Sequence, residues 1–159
     1  MIILGIDPGI ADTGYGVIKK EGDQYFLVEC GSLKTPSQND LPTRLEKLHS
    51  LLSHIIKKYT PTMIAVEELF FAKNVKTALT VAHARGVILL TAKVGGAEVR
   101  EFTPLQVKQA LTGYGRADKN QIQQMVKNIL KLKEVPQPDD AADALAIAIC
   151  CGQTKVFIS

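Results

Sequence analysis

Four carboxylates sit where a carboxylate is hard to explain: Asp7 directly after the apolar run 2–6, Glu67 directly after the apolar run 63–66, and Asp140 and Asp143 at the head of D-D-A-A-D-A-L-A-I-A-I-C-C (139–151). A charge taken out of water is costly unless it is paired, hydrogen-bonded or bound to a metal. Asp140 and Asp143 are three positions apart, which on a helix places them on one face about 5–6 Å apart. At that distance they repel unless a cation or a proton intervenes. Hard oxygen ligands with no cysteine or histidine at metal-binding spacing suit Mg²⁺ or Mn²⁺ rather than zinc. Converging, the four could hold two ions about 3.5–4 Å apart, the arrangement that activates a water and stabilises the leaving oxygen in phosphodiester hydrolysis. The chemistry expected is cleavage of a nucleic-acid backbone.

Each carboxylate also has a plainer explanation. Asp7 before Pro8-Gly9 could be a turn residue, and Glu67 could simply lead a loop away from its strand. Asp139 or Asp140 could cap a helix or complement its dipole, the better reading for Asp139. Glu68 and Asp139 leave open which member of each adjacent pair binds metal. Asp143 fits the plain account least, because it interrupts a run of alanines. His49, His54 and His83 are expected at solvated helix positions.

The elements that must position these residues follow from periodicity. Strands are expected over 2–7, 13–19 and 25–33, split by turns at 7–9 and 21–23, with the first two or three joined as an antiparallel meander. Leu41, Leu45, Leu48, Leu52, Ile55, Ile56 and Tyr59 recur at helical spacing, with Asp40 before Pro42 as the start signal and Thr60-Pro61 as the stop. A buried strand over 63–66, a helix over 75–94, a strand over 98–102, helices over 104–111 and 121–132 and a mostly buried alanine-rich helix over 139–151 complete the pattern. The order βββαβαβ followed by helices calls for an α/β architecture, a mixed five-stranded sheet flanked by helices on both faces.

At 159 residues the chain is expected to form a single domain spanning 1–159. Its 46% hydrophobic and 22% charged residues exclude a disordered or fibrous protein. The formal charge of +3 is small, but six basic residues against two acidic ones lie between Thr103 and Val135, so the basic surface is concentrated there. Cys30, Cys150 and Cys151 form no C-x-x-C pair and read as core residues in a reducing compartment. No stretch is expected to span a membrane, and 1–4 lacks the regions of a signal peptide. A cytoplasmic location is expected.

The segments I-L-G-I-D-P-G-I-A-D-T-G-Y-G (3–16), I-A-V-E-E-L-F-F-A-K-N (64–74), A-R-G-V (84–87), L-Q-V-K-Q (105–109) and D-A-A-D-A-L-A-I-A (140–148) together resemble the RuvC family of Holliday junction resolvases, in order over nearly the whole chain. The resemblance implies an RNase H-like fold, a bacterial homodimer and paired, symmetric, Mg²⁺-dependent nicks in four-way DNA junctions during recombination and repair. Mn²⁺ would be an acceptable substitute, and the branch-migration complex of RuvA and RuvB would be the protein partner. Carried over by motif, the acidic tetrad falls on Asp7, Glu67, Asp140 and Asp143, the functional lysines on Lys108 and Lys119, and the aromatic that stacks on junction bases on Phe70. An exposed aromatic beside a phosphodiester site is a stacking platform in its own right, although Phe70 could also cover the core. A related RNase H-like enzyme acting on RNA, an actin-like phosphate loop at 7–14, and a module that binds junctions without cutting, against which the intact Asp7, Glu67, Asp140 and Asp143 speak, are the competing readings. The second would need another lobe to close over a nucleotide.

Overall fold

A computed structural model describes residues 1–68 and 75–154, without the side chain of Lys76. The elements are β1 (Ile2–Asp7), β2 (Asp12–Glu21), β3 (Gln24–Lys34), α1 (Leu41–Tyr59), β4 (Met63–Glu67), α2 (Val75–Val94), β5 (Glu98–Phe102), α3 (Pro104–Thr112), α4 (Lys119–Ile129) and α5 (Asp139–Gln153). The strands form one sheet in the order β3-β2-β1-β4-β5. The β1–β2 and β2–β3 pairs are antiparallel, and the β1–β4 and β4–β5 pairs are parallel.

Alternation along the strands decides which helix meets which face. Leu4, Ile6, Ile64 and Val66 point into a core shared with α1 and α2 through Leu48, Leu52, Ala84 and Ile88. Ile3, Met63 and Ala65 point to the other face, into a core with Val107, Ile122 and Leu145 of α3, α4 and α5. Asp7 and Glu67 continue this second series, so both carboxylates leave the sheet on the α5 side.

α5 can lie on that face because the strands beneath it carry glycine. A Cβ on Gly5 would stand 2.0 Å from the Ala144 carbonyl oxygen, one on Gly16 2.7 Å from the Leu145 side chain, and one on Gly14 2.0 Å from the Asp140 carbonyl oxygen. Gly14 is the cross-strand partner of Asp7, and Gly16 that of Gly5. The missing side chains form a trough in which the helix backbone rests. Beyond Asp143 the helix is apolar on all sides, and nearly every residue from Ala141 to Gly152 is buried.

Local signals set the helix ends. Asp40 caps α1 as expected, its Oδ1 accepting from Thr43 N at 2.9 Å. Thr103 and Asp118 cap α3 and α4 through capping boxes with Gln106 and Gln121. The Asp118 box corrects the fourth helix, which starts at Lys119 rather than 121 and ends at Ile129 rather than 132; Lys131 there has a positive φ of 53°. α5 is capped by Pro138 without a side-chain hydrogen bond, so Asp139 is a first-turn residue and not the cap. Cys150 and Cys151 are buried, while Cys30 is only partly covered.

The expectation about membrane spans needs correction too. By length and composition Thr77–Val94, with a mean hydropathy of 1.2, is apolar enough to cross one. The reason is that α2 is apolar on two sides: Ala84, Ile88 and Ala92 pack on the sheet while Leu79, Leu90 and Val94 face outward.

Gly14→Ala is expected to destabilise the protein by about 1–3 kcal/mol, since a methyl group must displace helix backbone rather than a flexible side chain. Urea denaturation followed by circular dichroism measures this.

Candidate metal and nucleic-acid site

The carboxyl-terminal ends of β1 and β4 lie side by side, because Ile6 pairs with Val66. The first turn of α5 crosses them over Gly14. This brings together Asp7, Asp140 and Asp143, each half-buried, with one carboxylate oxygen from each lying within 4.8 Å of the others. Glu67 does not join that mutual set, but it lines the same cleft of about 220 Å³ with Asp7, Asp143, Lys108 and Lys119. Pro104, Val107, Ile122 and Ala146 supply its apolar wall.

Electrostatics mark the cleft as short of positive charge. The Asp7 carboxyl is pushed up to about 8, first by burial and then by the charges of Glu67, Asp143 and Asp140, with Lys119 opposing. Burial also raises Glu67, helped by Asp143 and opposed by Lys108. Asp143 is raised by burial against the pull of Lys119. Burial pulls the Lys119 ammonium down, but Asp143 and Asp139 outweigh it and leave it raised. Lys119 Nζ lies 3.3 Å from both Asp143 Oδ2 and Asp139 Oδ2. Two lysines, Lys119 and Lys108, cannot neutralise four acids, and the donor set is all hard oxygen. The residues therefore fit divalent cations of the Mg²⁺ type.

The adjacent acids are separated by the strand and helix periods. Glu67 is the last residue of β4 and faces the cleft; Glu68 has left the strand, its N–H donating to the Phe102 carbonyl at 2.8 Å. Asp140 joins the carboxylate cluster, whereas exposed Asp139 takes Lys119 and a 3.3 Å hydrogen bond from Gln123 Nε2. Phe70 lies outside the described residues. The three histidines are exposed, as expected, although His49 Nδ1 is 2.8 Å from Thr91 Oγ1. A larger groove of about 610 Å³ between the ends of α1 and α2 has no acidic residue in its lining and lies by Pro61, at the opposite end of β4.

Sequence reasoning missed what holds the cluster together. Gly5, Gly14 and Gly16 stand inside strands, a signal for close backbone approach, and their spacing was the available clue.

A mixed sheet in this order, with carboxylates at the ends of β1 and β4 and on a helix laid across them, defines the RNase H-like class. Residues 3–151 match the family model "Crossover junction endodeoxyribonuclease RuvC". A crossover junction endodeoxyribonuclease RuvC from Alkaliphilus oremlandii is 56% identical over 157 residues, covering 99% of this chain and 96% of that protein. The Thermus thermophilus RuvC structure superposes with a TM-score of 0.90 at 38% identity, over 96% of this chain and 94% of that one. RuvC from the same organism in complex with a Holliday junction substrate gives a TM-score of 0.88 at 36% identity over the same shares. The chain belongs to the RuvC family of crossover junction endodeoxyribonucleases.

A group whose folded pKa is raised binds a proton that the unfolded chain releases. In cation-free protein the stability tied to Asp7 is therefore fully present below about pH 4 and is lost as pH rises through about 8. In EDTA the Tm is expected to fall over that range. Asp7→Asn should flatten the slope and raise the Tm above pH 8 by several degrees, about 2–4 °C per kcal/mol for a protein of this size.

Proposed function

We propose that this chain resolves four-way DNA junctions by paired symmetric nicks, in recombination and repair, with Asp7, Glu67, Asp140 and Asp143 as the ligands of two Mg²⁺ ions. The observation that carries the reading is the half-buried triangle of Asp7, Asp140 and Asp143 beside Glu67, in a chain of this family. Bound there, hard divalent ions supply the charge and the activated water for phosphodiester hydrolysis, and Mn²⁺ would substitute for Mg²⁺. Asp7, whose carboxyl is raised to about 8 by burial and by its acidic neighbours, is the ligand supplied by β1. Lys119 draws Asp143 and Asp139 together, and its ammonium is placed to approach a phosphate or the charge that develops on it. Lys108, which lines the same cleft and acts on Glu67, offers a second phosphate contact. Phe70 is proposed to stack on unpaired bases at the junction centre, and Arg116, Lys127, Lys131 and Lys133 extend the basic surface beyond the cleft.

The second copy is proposed to meet this one on α2. Ala82 and Gly86, four positions apart on one face of α2, are exposed, and a Cβ on Gly86 would meet nothing within 4 Å, so these small residues are not turned toward the chain's own core. With Leu45, Leu79, Val87 and Leu90 they line a shallow apolar groove of about 440 Å³. A contiguous apolar surface of this kind is a docking face, and a two-fold pair would present two identical clefts to strands of like polarity. The branch-migration complex of RuvA and RuvB is proposed as the further partner, with the bacterial cytoplasm as the place of action and residues 1–159 acting as one nuclease unit.

Two experiments test this reading. Asp7→Asn, Glu67→Gln, Asp140→Asn and Asp143→Asn should each lower Mg²⁺-dependent nicking of a synthetic four-way junction at least about a hundredfold, and Lys119→Ala by about a hundredfold. Gel-shift binding of the junction should survive in all the acidic variants. A variant at Glu67 that nicks at the normal rate would remove it from the ligand set. Separately, Ala82→Glu should give a folded monomer by light scattering that no longer makes coupled nicks. An ordinary dimer from that variant rules this face out.

A further inference from the structure

Arg85 stands on α2, on the face of the sheet away from the acidic cleft, yet it reaches the end of β4 from which the cleft is built. Its Nε donates to the Glu67 carbonyl at 3.3 Å, and its guanidinium forms an ion pair with Glu101 on β5. The Arg85 side chain is 19% exposed and that of Glu101 41%, so the arginine is mostly covered while its ion pair is open to water.

The Glu67 carbonyl is where the ladder runs out. Toward β5 the pairing continues through Val66 with Glu101 and Glu67 with Phe102. Toward β1 it stops at Ile6 with Val66, one residue earlier. Glu67 is thus held along the β5 edge only, by that pairing and by the Glu68 N–H bond to the Phe102 carbonyl, which leaves its own carbonyl to be fixed from elsewhere, while Asp143 repels its side chain. A strand end held on one side can twist, and a small twist swings a long side chain out of register. The guanidinium is suited to preventing this because its planar fork donates in two directions at once, to the carbonyl from Nε and to Glu101 from its terminal nitrogen. The pair with Glu101 alone would be an ordinary surface ion pair of small value. The second donor, aimed at the peptide that carries Glu67, gives the arrangement a consequence for the site.

We infer that Arg85 is a positioning residue for the nuclease reaction: by fixing the Glu67–Glu68 peptide against β5 it sets the direction in which the Glu67 carboxylate enters the cleft. This rests on the proposed role of Glu67 as a cation ligand. Partners of this kind, one step behind a metal ligand, change metal affinity or activity about 10–100-fold when removed.

The test measures Mn²⁺ binding by electron paramagnetic resonance without DNA, and junction nicking against Mg²⁺ concentration, for wild type, Arg85→Ala, Arg85→Lys and Glu101→Gln. Arg85→Ala should bind Mn²⁺ about 10–100-fold more weakly and need correspondingly more Mg²⁺ for half-maximal nicking. Its binding of the junction in EDTA should stay within about twofold of wild type. Arg85→Lys should recover part of the loss, and Glu101→Gln, which keeps the donor to the carbonyl, should show the smallest shift. Mn²⁺ binding by Arg85→Ala that coincides with wild type overturns the inference, whatever happens to the rate. If circular dichroism shows that Arg85→Ala does not fold, Arg85→Lys and Glu101→Gln decide: weakened Mn²⁺ binding in Arg85→Lys supports the inference, and wild-type binding in both overturns it. A wild-type protein that binds Mn²⁺ but nicks no junction would count against the proposed function, and the Mn²⁺ titrations would still decide the role of Arg85.

Discussion

The close approach of α5 to β1 and β2 is the contact on which the rest of the structure depends. Three glycines, Gly5, Gly14 and Gly16, remove the side chains that would otherwise hold the helix off the sheet. The Asp140 carbonyl oxygen occupies the place where a Gly14 Cβ would stand, and Gly14 pairs across strands with Asp7. One packing constraint therefore places the head of the helix beside the end of the first strand. The carboxylates of Asp7, Asp140 and Asp143 meet as a consequence of that fit.

Such a meeting is unfavourable by itself. Burial and mutual repulsion raise Asp7, Glu67 and Asp143 together, and Lys119 offsets only part of it. The alanine-rich burial of α5 and the two cores on either face of the sheet hold the acids in place against this repulsion. A divalent ion placed there would relieve several unfavourable pairs at once. Such a cluster costs stability, as is common at sites built for charge.

Polarity is divided between the two faces of the sheet. The α5 face carries the carboxylates and, on α3 and α4, the lysines. The α1–α2 face is apolar within and, along Leu79, Ala82, Gly86 and Leu90, apolar without. The acidic cleft and the exposed apolar strip thus lie on different sides of one sheet, and Arg85, which stands on α2, reaches across to bond the last residue of β4.

The sequence by itself determined the elements and their order, because hydrophobic periods of two and of about 3.6 are local properties. Asp40 before Pro42, the turns at 7–9 and 21–23, and the alanine run of α5 were all legible for the same reason. The four carboxylates were legible as anomalies, being charges beside apolar runs. Local pattern could not decide between Glu67 and Glu68 or between Asp140 and Asp139. Those choices depend on which face of β4 meets α5 and on where the helix begins, and Pro138 rather than an aspartate turned out to begin it. The start of α4 at Lys119 likewise depends on the Asp118–Gln121 capping box that the structure reveals, and the mutual distances of the carboxylates depend on how deeply α5 sits in its glycine trough. The Arg85 contact joins residues eighteen positions apart through a helix, a strand and its neighbour. Contacts of that kind exist only once the chain has packed, because no local preference of residue 85 specifies the carbonyl of residue 67.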